Sequence, residues 1–497
     1  MGFVYWLLAA ASLAATTNAA SSSSRHLFEN TNIQRTVELG GSLTHVTTTI
    51  AVKALGHGGP NVYELALSEL EHQRTALLEV KLKGGAQNLA VEKHGFDPTS
   101  NAYLYTVELP PLAQNATATL VVNSILAHAS KAYPASIKQA DPQCLLFTTE
   151  AYVLSPYKTL TERTKIRLPS PKVLSYSAPE ALSNYAPEGS KEQARGIRSG
   201  AVITYGPFDD LPPTTGKFFA KEDQQLLSVH YEYETPVLSV VSLDRWAEIS
   251  HWGDNLNIQD NVHIRNDGPE LKGHFSRLEM QQAKYFNKVQ HQVLTHIPLQ
   301  LPPGIHTPYY YDSIGNVTTS RYRASPKVPG KKRPMPSFLE IRPRYPLLGG
   351  WNYTYTLGWD APLGDSAKYD SKTGKYVIGV PFMTPITGAA VDEASVTIVF
   401  PEGAENVEVF PPFDVDSTSR FTHVTYLDTI GRPAVVLRSS KLTDQHTGVI
   451  YATYTVPVRA HLAKPLAVGT AMFGFFLLAA FFRRVDLRIG STKSKRS

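Results

Sequence analysis

The stretch Leu78-Glu79-Val80-Lys81-Leu82-Lys83 sets three aliphatic side chains against three charged ones at a strict period of two. An extended chain with one face on a core and the other in water satisfies that pattern. The alternation recurs through Val46, Thr48, Ile50 and Val52, and through Tyr103, Tyr105, Val107 and Leu109. It returns in Val396, Ile398 and Phe400, in Val407 and Val409, and in Val449, Tyr451 and Thr453. Turn clusters separate these runs: Gly56-His-Gly-Gly-Pro60, Asp97-Pro98, Pro110-Pro111 and Pro401-Glu-Gly403. The 35 prolines suit loops and edges, not central strands or helix interiors. The expected class is mainly β, as two sandwich-like domains. Helical patterns are scarce, with Glu64 to Leu77 and Phe275 to Leu294 as the candidates. No fixed-period repeat is visible.

Near the C-terminus, Leu466 to Phe482 carry no charge and no strong helix breaker. As a helix this run is about 25 Å long, or about 30 Å from Leu462, which matches the hydrocarbon core of a bilayer. Beyond it stand Arg483, Arg484, Arg488, Lys493, Lys495 and Arg496 against one acid, Asp486. Basic flanks stay cytosolic, so the body before Leu462 is expected on the far side of the membrane. At the other end, Phe3 to Ala10 is apolar and small residues follow to Ala19, the pattern of a cleaved signal peptide. The expected organisation is a signal peptide at 1–19, lumenal β-rich domains at 20–235 and 236–461, a transmembrane helix at 462–482, and a basic cytosolic tail at 483–497. Pro169 to Pro213, rich in Pro, Ser and Gly, reads as long loops of the first domain. Ala324 to Pro336 reads as an exposed loop of the second.

The formal charge of +5 resides in the tail, which leaves the body near neutral. A neutral body gives no electrostatic case for nucleic acid. The tail would lie against an anionic leaflet. Cys144 is the single cysteine, so internal disulfides, Cys-pair zinc sites and dithiol chemistry are excluded. It reads as a buried small hydrophobe. In a lumenal body Asn115, Asn316 and Asn352 are N-glycosylation candidates, at a frequency that chance alone supplies.

Catalytic signatures are sparse. None of the 16 histidines precedes Glu, and neither a G-x-S-x-G elbow nor a phosphate-binding P-loop occurs. Asp414-Val-Asp416 has a metal-holding spacing, which a solvated acidic turn also explains. His251, in Ser250-His-Trp-Gly-Asp254, has a hydroxyl and a carboxylate nearby in sequence, but a triad needs convergence in space. The alternative is a strand-end turn with Trp252 anchoring the core and Gly253 at an unusual backbone angle. Arg342 and Arg344 share one face of an extended segment. That face suits a carboxylate or phosphate, and equally suits pairing with acids of the same domain.

Six segments carry a resemblance: Ser250-His-Trp-Gly253, Leu271-Lys-Gly-His-Phe-Ser-Arg277, Ile314-Gly-Asn-Val-Thr-Thr-Ser320, Ile341-Arg-Pro-Arg-Tyr-Pro-Leu-Leu-Gly-Gly-Trp351, Pro401-Glu-Gly-Ala-Glu-Asn406 and Thr425-Tyr-Leu-Asp-Thr-Ile-Gly-Arg-Pro433. In this order before a single span, they resemble ribophorin I, the type I accessory subunit of the endoplasmic-reticulum oligosaccharyltransferase. The motif positions include His251, Trp252, Gly253, Arg342, Arg344, Gly349, Gly350, Trp351, Asp428, Gly431 and Arg432. Residues 26–240 carry no comparably sharp motif. The tail is shorter than the helical extension of animal members and closer to fungal forms. The resemblance implies two β-rich lumenal domains, no cofactor and no catalytic residue. The chemistry would belong to a polytopic partner subunit that transfers oligosaccharide from dolichyl pyrophosphate to Asn of Asn-X-Ser/Thr. Other subunits, nascent polypeptides and the translocon are the further implied partners. Gly469 and Gly474 would give the membrane helix small-residue faces. Lys493 and Lys495 have the spacing of an endoplasmic-reticulum retrieval signal. The competing expectations are a cell-surface adhesion or receptor ectodomain, and a membrane-anchored hydrolase using His251 or the 414–416 acids.

Overall fold

A computed structural model describes residues 27–56, 61–216, 219, 223–286, 290–326, 335–426 and 428–484. The signal-peptide expectation at 1–19 and the retrieval lysines Lys493 and Lys495 lie outside them, as does most of Ala324 to Pro336. The architecture is mainly β, with one long apolar helix at the C-terminal end.

The first half is built on a seven-stranded sheet. Across it lie Ile197–Ser199, Val202–Leu211, Thr159–Arg167, Phe28–Glu38, Leu43–Ala54, Thr117–Ala127 and Thr75–Leu82. Leu78, Val80 and Leu82 of the last strand turn into an apolar core with Ile50, Val52, Tyr105 and Val107, as their alternation requires. The second half is built on an eight-stranded sheet running Ser417–His423, Arg432–Leu442, Ala390–Val399, Leu238–Ser250, Asn255–Asn266, Asn352–Pro362, His306–Asp312 and Gly315–Asn316.

These two sheets share one topology. Each starts from an antiparallel hairpin, Phe28–Glu38 with Leu43–Ala54 and Leu238–Ser250 with Asn255–Asn266. In each, a later strand joins the hairpin's first strand in parallel, Thr159–Arg167 in one and Ala390–Val399 in the other. The smaller sheets repeat too. Val173–Tyr176, Leu226–Glu232, Cys144–Glu150 and Ser130–Ala132 match Glu405–Phe410, Val449–Thr455, Lys375–Pro381 and Ala367–Asp370 in order and direction. The three-stranded sheets of Val62–Leu67, Ala102–Glu108 and Val91–Asp97 and of Ile297–Leu301, Ser337–Ile341 and Arg321–Arg323 match as well. A buried arginine recurs at the same place. Arg35 donates to the carbonyls of Glu150 and Ala151, and Arg245 donates to that of Pro381 at 2.8 Å while gripping Asp260 with two bonds of 2.6 Å. The chain is therefore a tandem structural repeat. The sequence shows no period because loop lengths differ between the copies: Leu238 follows Phe28 by a shorter interval than Ala367 follows Ser130.

Several expectations change. Glu64 to Leu77 holds parts of two strands and one six-residue helix, Glu69–Arg74, opened by Ser68 capping Glu71. The strands win because Tyr63, Leu65 and Ala66 enter cores at extended spacing. Among the described residues of Phe275 to Leu294 the helix is Arg277–Tyr285, which buries none of its residues. Within Pro169 to Pro213, Val202–Leu211 is a ten-residue strand whose Ile203, Tyr205, Phe208 and Leu211 are fully buried. In Val449–Thr455 the inward face is Ile450, Ala452 and Tyr454, not Val449, Tyr451 and Thr453. Bulky residues on both faces of that strand hide its direction. Cys144 is buried and free, and burial pushes its thiol pKa up.

One large core spans Leu238 to Tyr454, and two others span Phe28 to Val237. The halves meet through Leu43, Ile125 and Ala127 against Ala390, and through a parallel pair joining Ser136–Ile137 to Glu270–Leu271. His128 reaches across to Asp392 at 2.7 Å and Asp267 at 3.6 Å.

Candidate functional site at the base of the C-terminal helix

The helix Val458–Arg484 starts four residues before Leu462 and contains Pro465. Its first turns are held by three segments that carry the sequence motifs. Lys464 Nζ lies 3.0 Å from Asp428 Oδ1 and 3.0 Å from Glu402 Oε2. Arg459 reaches Glu405 at 2.6 Å. Gly403, at φ 76°, lies so close to the helix that a Cβ there would stand 2.7 Å from Ala460 Cβ. Gly431, at φ 80°, turns the chain where a Cβ would meet Thr422 at 2.5 Å.

The two acids are prepared for this cation. The Glu402 carboxylate accepts from Thr429 N–H at 2.6 Å, its hydroxyl at 2.8 Å and Ile430 N–H at 2.8 Å. Burial alone would raise its pKa, but these donors and Lys464 outweigh burial and bring it to about 2. Asp428 is fully buried and accepts from Thr425 N–H and hydroxyl and from Arg432 Nε. Burial pushes its pKa up here too, yet the Thr425 bonds, Lys464 and Arg432 hold it well below the usual carboxylate range. Arg432 also faces Glu248 at 3.7 Å.

His251 completes the collar. Its Nε2 hydrogen-bonds Tyr454 Oη at 2.8 Å, and its ring stacks on His461 of the helix with centroids 5.4 Å apart. Burial, then His461, lowers the imidazole pKa to about 4, so it is neutral at physiological pH. Ser250 Oγ accepts from Gly253 N–H at 3.0 Å instead of meeting the ring. Two expectations fail here. Trp252 does not anchor the core but stands 65 % exposed beside the helix. The positive backbone angle falls on Asp254, φ 46°, and not on Gly253. The polar bonds of the turn decide both.

The second group of motif residues sits at the opposite end of the same sheet, where the halves join. Gly349 approaches Pro269 so closely that a Cβ would lie 2.0 Å from its carbonyl oxygen, and Gly350, φ 78°, lies against Glu270. Trp351 packs edge-on to Phe275 and Tyr345. Lys272 N–H bonds Ile137 of the first half, and Gln139 is bonded to Ser276 in both directions. Arg344 pairs with Asp312 at 2.5 Å and donates to the carbonyls of Gly315 and Asn316, while Arg342 pairs with Glu340 at 2.7 Å. Asn115, Asn316 and Asn352 are all exposed. Asp416 accepts from Ser440 at 2.6 Å, Asp414 is exposed, and no group of three metal-ligating side chains occurs among the described residues. Sequence reasoning missed Lys464 and His461. The signal was a lone Lys-Pro pair just ahead of the apolar run.

Motif residues thus cluster at two joints, one to the helix and one between the repeats. The ribophorin I family model matches residues 28–483. The chain belongs to the ribophorin I family. A rice relative named dolichyl-diphosphooligosaccharide–protein glycosyltransferase subunit 1B is 32% identical over 423 residues, covering 85% of this chain and 81% of its own. An Arabidopsis thaliana subunit 1B is 27% identical, covering 92% and 93%. A Caenorhabditis elegans subunit 1 is also 27% identical, covering 93% and 73%. In this chain the segments that carry the resemblance lie at those two joints.

Proposed function

We propose that this chain is a noncatalytic subunit of the oligosaccharyltransferase complex of the endoplasmic-reticulum membrane, supporting oligosaccharide transfer to Asn of Asn-X-Ser/Thr. The observation carrying this reading is the similarity to subunits 1 and 1B across most of their lengths. The candidate reactive groups are engaged structurally: His251 with Tyr454 and His461, Arg342 and Arg344 with Glu340 and Asp312. The two repeats, divided near residue 235, act as lumenal scaffold domains on a single-pass anchor. They hold neighbouring subunits, among them the polytopic catalytic one, and the nascent polypeptide near the translocon. Asn115, Asn316 and Asn352 are lumenal acceptors, and Lys493 and Lys495 return the protein to the endoplasmic reticulum. Glycosylation measured on membranes depleted of this chain tests the reading. Transfer should weaken while the catalytic subunit is still present, and unchanged transfer to every acceptor would refute it.

A further inference from the structure

Around the foot of the helix the collar exposes apolar and aromatic side chains that the described residues leave uncovered. Trp252 lies beside His461 and Leu462. Ile430, 71 % exposed, stands against Gly403, itself in contact with Ala460. Tyr426, 95 % exposed, sits in the Thr425–Asp428 turn that grips Lys464, and exposed Val424 precedes it. These residues come from two separate turns, yet both turns are fastened to one short length of helix, Ala460 to Lys464.

We propose that this ring is a membrane-seated belt: Trp252, Tyr426 and Ile430 enter the interfacial layer of the leaflet on the body's side. The proposal rests on reading Val458–Arg484 as the anchor. Lys464 is the last charge before the apolar run, so Leu466 marks the edge of the hydrocarbon. At a rise of about 1.5 Å per residue, Ala460 to Lys464 stand about 3–9 Å above that edge. Headgroups occupy about that layer, and amphipathic Trp and Tyr rings prefer it. The run from Leu466 to Phe482, about 25 Å, also falls short of a hydrocarbon core of about 30 Å. A short span draws its flanks toward the bilayer, and here the flank is rigid because both acids grip Lys464. A lipid surface is the occupant committed to. A partner subunit covering the ring is the rival outcome.

The test places single cysteines by Trp252→Cys, Tyr426→Cys and Ile430→Cys in a Cys144→Ser background of the full chain. Each is labelled with an environment-sensitive dye and reconstituted in phosphatidylcholine nanodiscs containing lipids brominated high on the acyl chain. Phe475→Cys reports the helix and Phe96→Cys, exposed to water on the first repeat, serves as the lipid-free control. All three belt positions should be quenched at least twofold more than position 96. Quenching at 475 with none at the belt overturns the belt alone. No quenching at 475 removes the anchor reading and the belt with it. Belt positions unquenched in lipid but crosslinking to a protein in native membranes would assign the ring to a partner.

Discussion

Lys464 Nζ and Asp428 Oδ1 stand 3.0 Å apart, joining the first turns of the C-terminal helix to a fully buried carboxylate of the second repeat. The two partners are not equivalent. Asp428 is also the acceptor for Thr425 and Arg432, whereas the Lys464 side chain is partly exposed. Asp428→Ala should therefore destabilise the second repeat by on the order of 2–3 kcal/mol, since it strands several donors. Lys464→Ala should cost only about 1 kcal/mol. Thermal unfolding of the solubilised chain checks the order, and equal losses would contradict it.

Glu150 and Glu162 surround Arg35 in the first repeat, and burial pushes each carboxyl up to about 7. Glu162 Oε2 is buried without a hydrogen-bond partner, as suits a protonated acid. A folded pKa above the unfolded one means that the folded state holds the proton more tightly. The stability this confers is complete below about pH 4.5 and declines as pH rises through 7. Glu162→Gln, which mimics the protonated acid, should raise the melting temperature at pH 7.5 and change it little at pH 5. The pH-dependent part is on the order of 2 kcal/mol.

His128 crosses between the repeats, and its bond to Asp392 outweighs burial in raising its pKa. Its contribution is complete below the unfolded value of about 6.5 and fades as pH climbs through the higher folded value. His128 sits at φ 51°, which Asn tolerates, so His128→Asn should speed proteolysis near Thr235-Pro236 at pH 6 and have little effect at pH 9.

Gly349→Ala would drive a methyl into the backbone carbonyl of Pro269, a group with no room to yield. A loss of about 3 kcal/mol is expected from overpacking, read by denaturant unfolding. Gly469 and Gly474 face open space, so alanine there should leave the isolated chain unchanged. Loss of co-purifying subunits in a Gly474→Ala variant would then report a partner helix against that face.

How much of this was legible in the sequence follows from the range of the forces. Alternation at 78–83 and 46–52 is local, so strands could be read there directly. The C-terminal span declares itself by composition. The structural repeat could not be read, because it is written in which strands pair across more than a hundred residues and not in any window. Trp252 was misplaced for a related reason. Its size suggested a core, but its exposure is set by a turn whose surroundings arrive from residues 401–464. In sequence Lys464 falls inside the expected span at 462–482, because the two acids that hold it lie far away along the chain.

The repeats are joined head to tail. The Gly40–Ser42 end of the first meets Leu238, and the corresponding His251–Asp254 end of the second meets the helix. Between these ends runs the 13-residue strand Leu238–Ser250, about 40 Å of extended chain. The molecule is thus a two-storey mast, its upper storey carried one full sheet-height from the foot of the C-terminal helix. Any slack at its foot would be magnified by that height into sway at the top.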